Sequence, residues 1–292
     1  MTKKLTDYAD NEYSQSGEDG ILAEILDRLG VSCGTFCEFG AWDGIHLSNC
    51  YRLLESESWE GVMIEADKSK FEELKRTASE YPERLEIFNR RVAATGKNSL
   101  DNILDKSNLS YDFDILSIDV DGPDYYIWQG LSEFQPKVVV IEYNRCLGPD
   151  LRYASSFGMN TVLEMHHAKD EGINTLNYHP FRGYGSSFKS MAELGNSKGY
   201  NLVSATQQNM IFVHSSVVDL LSLDEKQLSN PQTHWQDEWT SKRWCNPLSD
   251  QNTPFYSKGF IENMSRFLSS IKKNGISQTI QNVISIIFRD IF

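Results

Sequence analysis

The chain has 292 residues, 40% hydrophobic and 24% charged, the composition of a soluble globular protein with room for one large α/β core. A formal net charge of −13 excludes an extended nucleic-acid interface, because neutralising phosphates requires a basic face. The five cysteines (Cys33, Cys37, Cys50, Cys146, Cys245) form no CxxC pair and no disulfide framework, which fits a reducing compartment.

The N-terminus is polar and charged, with no apolar stretch of a secretory signal. No run approaches the ~18–20 apolar residues of a membrane span, so a cytoplasmic protein with no transmembrane segment is expected. The first element is a helix over Glu18–Leu29. Ile21, Leu22, Ile25, Leu26 and Leu29 share one face, Glu18 and Asp19 favour its dipole, and Gly30 supplies a left-handed cap. Thr35–Phe39 reads as a strand, followed by a helix from about Ser48. Gly61–Glu65 reads as the next strand, and a charged helix runs from Lys68 to about Tyr81. Leu85–Val92, Ile115–Val120 and Lys137–Tyr143 follow; the last two are apolar and β-branched, as buried parallel strands are. This alternation predicts a Rossmann-like, doubly wound α/β sheet with helices on both faces.

Periodicity fails over about 145–186, and so long a stretch without an element usually carries substrate contacts. A helix from Ser187 to about Lys198 and strands near Tyr200–Ala205 and Met210–Val213 close a domain spanning 1–215. Residues 216–292 read as a C-terminal extension, loop-rich and then helical, with apolar stripes over Phe260–Ile271 and Ile280–Ile291. The stripes predict docking on the core or a homodimer; basic residues on their polar faces are too few to favour a membrane surface.

The sharpest motif is Glu38-Phe39-Gly40-Ala41-Trp42-Asp43-Gly44, directly after an apolar strand. Glycines at a strand end let a ligand approach the backbone closely, and an acidic residue there suits an amino group better than a pyrophosphate. The next strand ends at Glu65, whose carboxylate can accept both ribose hydroxyls of an adenosine. Two further strands end in Asp119-Val120-Asp121 and Glu142-Tyr143-Asn144. Alternation along a strand would put Asp119 with Asp121 on one face, and Glu142 with Asn144 on another. Two readings stay open: Asp119, Glu142 and Asn144 as ligands of Mg2+ or Mn2+, or Asp119 and Asp121 as groups that orient a hydroxyl and take its proton. His166, His167 and His179 lie in the irregular segment as candidate general bases, and Arg145, Arg152 and Arg182 as candidate grips for a phosphate or carboxylate.

In combination these motifs resemble the FkbM-like family of S-adenosylmethionine (SAM)-dependent methyltransferases. The resemblance rests on Gln15-Ser16-Gly17-Glu18-Asp19, the Glu38–Gly44 element, Ile118-Asp119-Val120-Asp121-Gly122, Gly199-Tyr200, Asn209 and Phe212-Val213. It covers about Tyr13 to His214. Trp42 departs from the family pattern, and Asp121 stands where the family has Glu. The resemblance implies a seven-stranded sheet with an antiparallel last strand and transfer of methyl from SAM, usually to oxygen. It also implies that Glu38, Gly40, Asp43 and Gly44 surround the methionine part of SAM, that Glu65 holds its ribose, and that Gln15, Ser48 and Asn49 contribute to the cofactor site. Relatives act on sugars and other small molecules, so the expected acceptor is a sugar or nucleotide-linked sugar for surface glycans.

Two rival classes share parts of this pattern. A nicotinamide-dependent oxidoreductase would use the same crevice, but GxGxxG is missing and no tyrosine precedes a lysine by four residues. A non-catalytic SAM-fold assembly protein would act through the C-terminal helices.

Overall fold

Seven strands form one sheet in the order β3-β2-β1-β4-β5-β7-β6. They are β1 (Gly34–Phe39), β2 (Trp59–Glu65), β3 (Leu85–Asn89), β4 (Ile115–Ile118), β5 (Val138–Glu142), β6 (Tyr200–Ala205) and β7 (Asn209–His214). β1 to β5 pair in parallel, while β7 runs antiparallel to both β5 and β6. The computed structural model describes residues 3–120, 122–154, 185–224 and 228–236. Asp121, His166, His167, His179, Arg182, Cys245, most of the 145–186 segment and the two C-terminal helical stripes lie outside the described residues.

The strands are apolar on both faces because both are covered. Val139 and Ile141 of β5 face one core with Phe39, Ile64, Ile118 and Phe212. Val138 and Val140 face the other, with Phe36, Met63, Ile115 and Ile211. The first core is closed by α4 (Leu100–Leu104), α5 (Asp124–Gly130) and α6 (Phe188–Ser197), where Trp128 wedges against Phe212 and Tyr200 at 4.9 and 5.6 Å. The second is closed by α1 (Glu18–Leu29), α2 (Tyr51–Leu54) and α3 (Lys68–Glu80). The α1 stripe is buried as its spacing demands, and Gly30 takes the left-handed cap at φ 69°. Past residue 215 the chain stays on this body: Val218 and Leu221 are buried, and Trp235 packs on Phe188 at 5.3 Å.

Three strand ends fall short of expectation, the first being β3, which stops at Asn89 rather than Val92. The strand expected over Ile115–Val120 ends at Ile118, because Asp124 in the first turn of α5 captures the next amides. Its Oδ1 accepts from Val120 N at 2.9 Å and its Oδ2 from Gly122 N at 2.8 Å. These bonds fold a turn where a strand would otherwise continue, so Asp119 lies beyond the ladder. Likewise β5 ends at Glu142, and Asn144 N is already bonded to Ser186 O. Strand alternation therefore does not govern Asp119, or the pairing of Glu142 with Asn144.

Among the described residues no helix is long and apolar enough to cross a membrane.

Candidate functional site

The carboxyl ends of the parallel strands face one edge, and the order reverses direction between β1 and β4. In an open α/β sheet that switch point is where ligands bind. Gly40 leaves β1 at φ 79°, and a Cβ there would fall well inside van der Waals contact of the Asp119 carbonyl oxygen. Backbone thus abuts backbone across the switch point, and only glycine permits it. Gly40 N and Ala41 N both reach Ile64 O, at 3.0 and 3.2 Å, which draws the turn over the end of β2.

Trp42 follows at φ 49°, a left-handed conformation that costs a non-glycine residue roughly 1–2 kcal/mol. It is held there by Glu65. The Glu65 carboxylate is buried at the end of β2; Oε2 accepts from Trp42 N at 2.9 Å and Oε1 from Asp67 N at 2.6 Å. The Trp42 indole lies under Lys70 Nζ, 3.9 Å from its ring centre, and donates to Glu73 Oε2 at 3.3 Å. Glu65 therefore shapes both loops of the crevice. A carboxylate has about four lone-pair sites, so each oxygen that holds one amide can accept once more.

Glu38 occupies a different position. It is buried, and its oxygens accept from Ser48 Oγ at 2.5 Å, Asn49 N at 2.9 Å and Ser117 Oγ at 3.2 Å. Asn49 Nδ2 closes the cluster on Ser117 Oγ at 3.1 Å. Glu38, Ser48 and Asn49, all expected at the cofactor, are thus brought together and bonded to one another, with Ser117 of β4 as the partner that sequence spacing did not indicate. Asp43 is engaged locally: its Oδ1 accepts from Ile45 N and His46 N at 2.9 and 2.7 Å. Gly44 fits against Leu74 and Met63, where a Cβ would stand 2.7 and 3.0 Å from their side chains. Its small size admits α3 to the sheet.

Burial raises the Glu38 carboxyl above its usual range, opposed in part by the bonds from Ser48, Asn49 and Ser117. A folded-state value above the unfolded one means that ionisation opposes folding. The group's favourable contribution is complete below about pH 4.5 and is lost as pH rises through the raised value. In urea titrations the stability of wild type relative to Glu38→Gln is therefore expected to fall as pH rises above the ordinary carboxyl range. A pH-independent difference would show that the buried carboxyl titrates as it does in the unfolded chain.

The Gln15–Asp19 element lies at the same sheet edge. Glu18 is buried and accepts from Thr206 Oγ1 at 2.5 Å and Asn209 Nδ2 at 3.0 Å, fastening α1 to the β6–β7 turn. Asp19 Oδ2 accepts from the amides of Glu12, Tyr13 and Ser14 at 2.8–2.9 Å, folding the preceding loop. Gln15, by contrast, lines a cleft of about 310 Å³ together with Asp10, Asn11, Ser16, Gly17 and Gln207.

Asp119, Glu142 and Asn144 are half-buried at the ends of β4 and β5. Among the described residues no three His, Cys, Asp or Glu side chains gather as a metal ion would require. Arg152 is taken up by Glu193 of α6, with Nε 2.9 Å and Nη2 2.7 Å from Oε1, and Arg145 Nη1 donates to Gln207 O at 3.2 Å. Cys37 and Cys50 are buried free thiols, their ionisation suppressed by burial.

A seven-stranded sheet in this order, with the antiparallel β7 inserted between β5 and β6, is the Rossmann-like α/β fold of the methyltransferase class. No family model matches the sequence, and no curated protein matches it. Solved structures similar to the chain include a candidate sarcosine dimethylglycine methyltransferase from Galdieria sulphuraria: 14% identity, 42% of this chain and 44% of that one, TM-score 0.31. The chain thus spans under half of that protein. A SAM-dependent methyltransferase from Aquifex aeolicus shares 9% identity over 65% of this chain and 86% of its own, TM-score 0.37. An O-methyltransferase family protein from Burkholderia thailandensis shares 10% identity over 66% of this chain and 53% of its own, TM-score 0.39.

Proposed function

We propose that this chain is a SAM-dependent methyltransferase that binds its cofactor at the β1–β2 side of the crevice and methylates a small-molecule hydroxyl. The acceptor in this reading is a sugar or nucleotide-linked sugar. The observation that carries it is Glu65: a buried carboxylate beside a glycine turn, fixed by two amides and retaining acceptor capacity on both oxygens. Those acceptors fit the two hydroxyls of a ribose, and the Gly40–Ala41 turn leaves backbone close to whatever lies above it.

SAM, when bound, supplies an electrophilic methyl on sulfonium. The protein's part is to hold and orient. Glu65 fixes the ribose, the Glu38–Ser48–Asn49–Ser117 cluster keeps the turn after β1 rigid, and Asp124 holds the loop that begins at Asp119. Asp119 and Glu142, at adjacent strand ends, are the carboxylates placed to orient an acceptor hydroxyl and take its proton. No step is routed through a metal; a divalent ion, if bound, would be held by Asp119, Glu142 and Asn144.

Calorimetric titration with SAM, run with Mn2+ and with a chelator, tests the reading. Saturable binding in the micromolar range, unchanged by the chelator, is expected. Absence of binding heat under every condition overturns it. Binding that requires Mn2+ would instead restore the metal-assisted version.

A further inference from the structure

We infer that the cleft between the Asp10–Gly17 loop and the β6–β7 turn is a binding site for a neutral, hydroxyl-rich ring, the pyranose of the acceptor. Its identity as the acceptor side rests on the SAM reading above. The cleft's volume of about 310 Å³ is at the small end of the ~300–1,000 Å³ typical of ligand pockets, enough for one sugar-sized ring.

The polar groups it presents decide the chemistry. The side-chain amides of Gln15 and Gln207 make no hydrogen bond among the described residues, and each offers donors and acceptors together. The Ser16 hydroxyl and the Asp10 carboxylate line the same space. The lining itself holds no basic residue, and the Arg145 guanidinium beside it donates to the Gln207 carbonyl oxygen at 3.2 Å. Arg52, which approaches Asp10 at 3.7 Å, is also paired with Glu12 at 3.3 Å. The amides at the start of α1 are likewise committed: Ser16 N to Glu18, Gly17 N to Asn11 Oδ1, Asp19 N to Ser14 Oγ and Gly20 N to Asp10 O. An apolar ligand would strip water from the two glutamine amides without replacing their bonds, at about 1–3 kcal/mol per group. A ring bearing several hydroxyls satisfies donors and acceptors at once.

The cleft's position separates it from the ribose end of the proposed cofactor site. Gln207 sits in the turn between β6 and β7, and β7 is four strands from β2, where Glu65 lies. At ~4.8 Å per strand that is roughly 19 Å along the sheet. The same turn is tied to the end of β5: Tyr143 N bonds Gln208 O at 3.1 Å and Tyr143 Oη bonds Thr206 O at 2.9 Å. A ring held here lies next to the strand end that carries Glu142.

The test is saturation-transfer NMR on the full chain with four methyl pyranosides (gluco, galacto, manno and N-acetylgluco), with and without S-adenosylhomocysteine. At least one sugar is expected to show transfer, and Gln207→Ala or the size-preserving Gln207→Met should reduce it at least fivefold. The affinity of both variants for S-adenosylhomocysteine should stay within twofold of wild type. No transfer from any of the four sugars, or transfer unchanged in both variants, overturns the assignment. A tenfold loss of S-adenosylhomocysteine affinity in the variants also overturns it, by placing the cleft in the cofactor site. Failure of wild type to bind S-adenosylhomocysteine would count against the function proposed above, while the sugar arm without it still reads the cleft.

Discussion

Gly40→Ala is expected to destabilise the fold severely, whereas Gly30→Ala should cost only about 1 kcal/mol. Both glycines have positive φ, at 79° and 69°, so the conformational penalty for a side chain is similar. Their surroundings differ. A Cβ on Gly30 has no neighbour within 4 Å, while one on Gly40 collides with the carbonyl of Asp119. Relief would require β1 and β4 to separate at their ends, where Asp119 N donates to Phe39 O at 3.3 Å and the central pairs of the sheet are anchored. Backbone cannot yield as a flexible side chain can, so the loss should exceed 4 kcal/mol, a large part of the ~5–15 kcal/mol by which domains are stable. Urea unfolding of the two variants side by side is the check. A Gly40→Ala protein that unfolds with a midpoint near that of Gly30→Ala would show that the switch point is not held by this contact.

The contrast also marks what could be read from the sequence. Gly30 was legible as a cap because the Ile21–Leu29 stripe ends immediately before it, and the strands were legible as apolar runs between helical patterns. The Glu38–Gly44 and Glu65 pairing was legible because both lie at strand ends with a helix-length spacing between them. What escaped were contacts with no local signature. Ser117 meets Glu38 across 79 positions of sequence, so nothing near either residue indicates that Glu38, Ser48 and Asn49 are bound to one another. The helices α4 and α5 have 5 and 7 residues, too few turns for a hydrophobic period to appear. The early end of β4 follows from the Asp124 side chain reaching back to Val120 and Gly122, which apolar patterning does not report. The cleft escaped for the same reason: Gln15 and Gln207 are 192 positions apart and meet only because Glu18 fastens α1 to the β6–β7 turn.

Glu65→Ala is expected to weaken SAM binding by about 100-fold while leaving a folded protein. Two hydrogen bonds from ribose hydroxyls to a charged acceptor, each at the lower end of ~1.5–3 kcal/mol, together supply about 3 kcal/mol, which corresponds to roughly that factor. The substitution also frees Trp42 N and Asp67 N, which Glu65 holds at 2.9 and 2.6 Å. Released from that bond, Trp42 has reason to leave its left-handed conformation, and the loop over the end of β2 loosens. Affinity could therefore fall through lost ligand bonds or through lost preorganisation, and Glu65→Gln separates them. A glutamine keeps one acceptor for one amide but turns an NH2 toward the other, so the loop is disturbed while part of the ribose contact survives. If binding follows the ribose contact, Glu65→Gln should retain affinity intermediate between wild type and Glu65→Ala. If it follows the loop, both variants should lose affinity equally and both should melt below wild type. Calorimetry with SAM alongside thermal unfolding reads the two effects independently. Unchanged affinity in Glu65→Ala would remove the ribose assignment and with it the observation on which the proposed function stands.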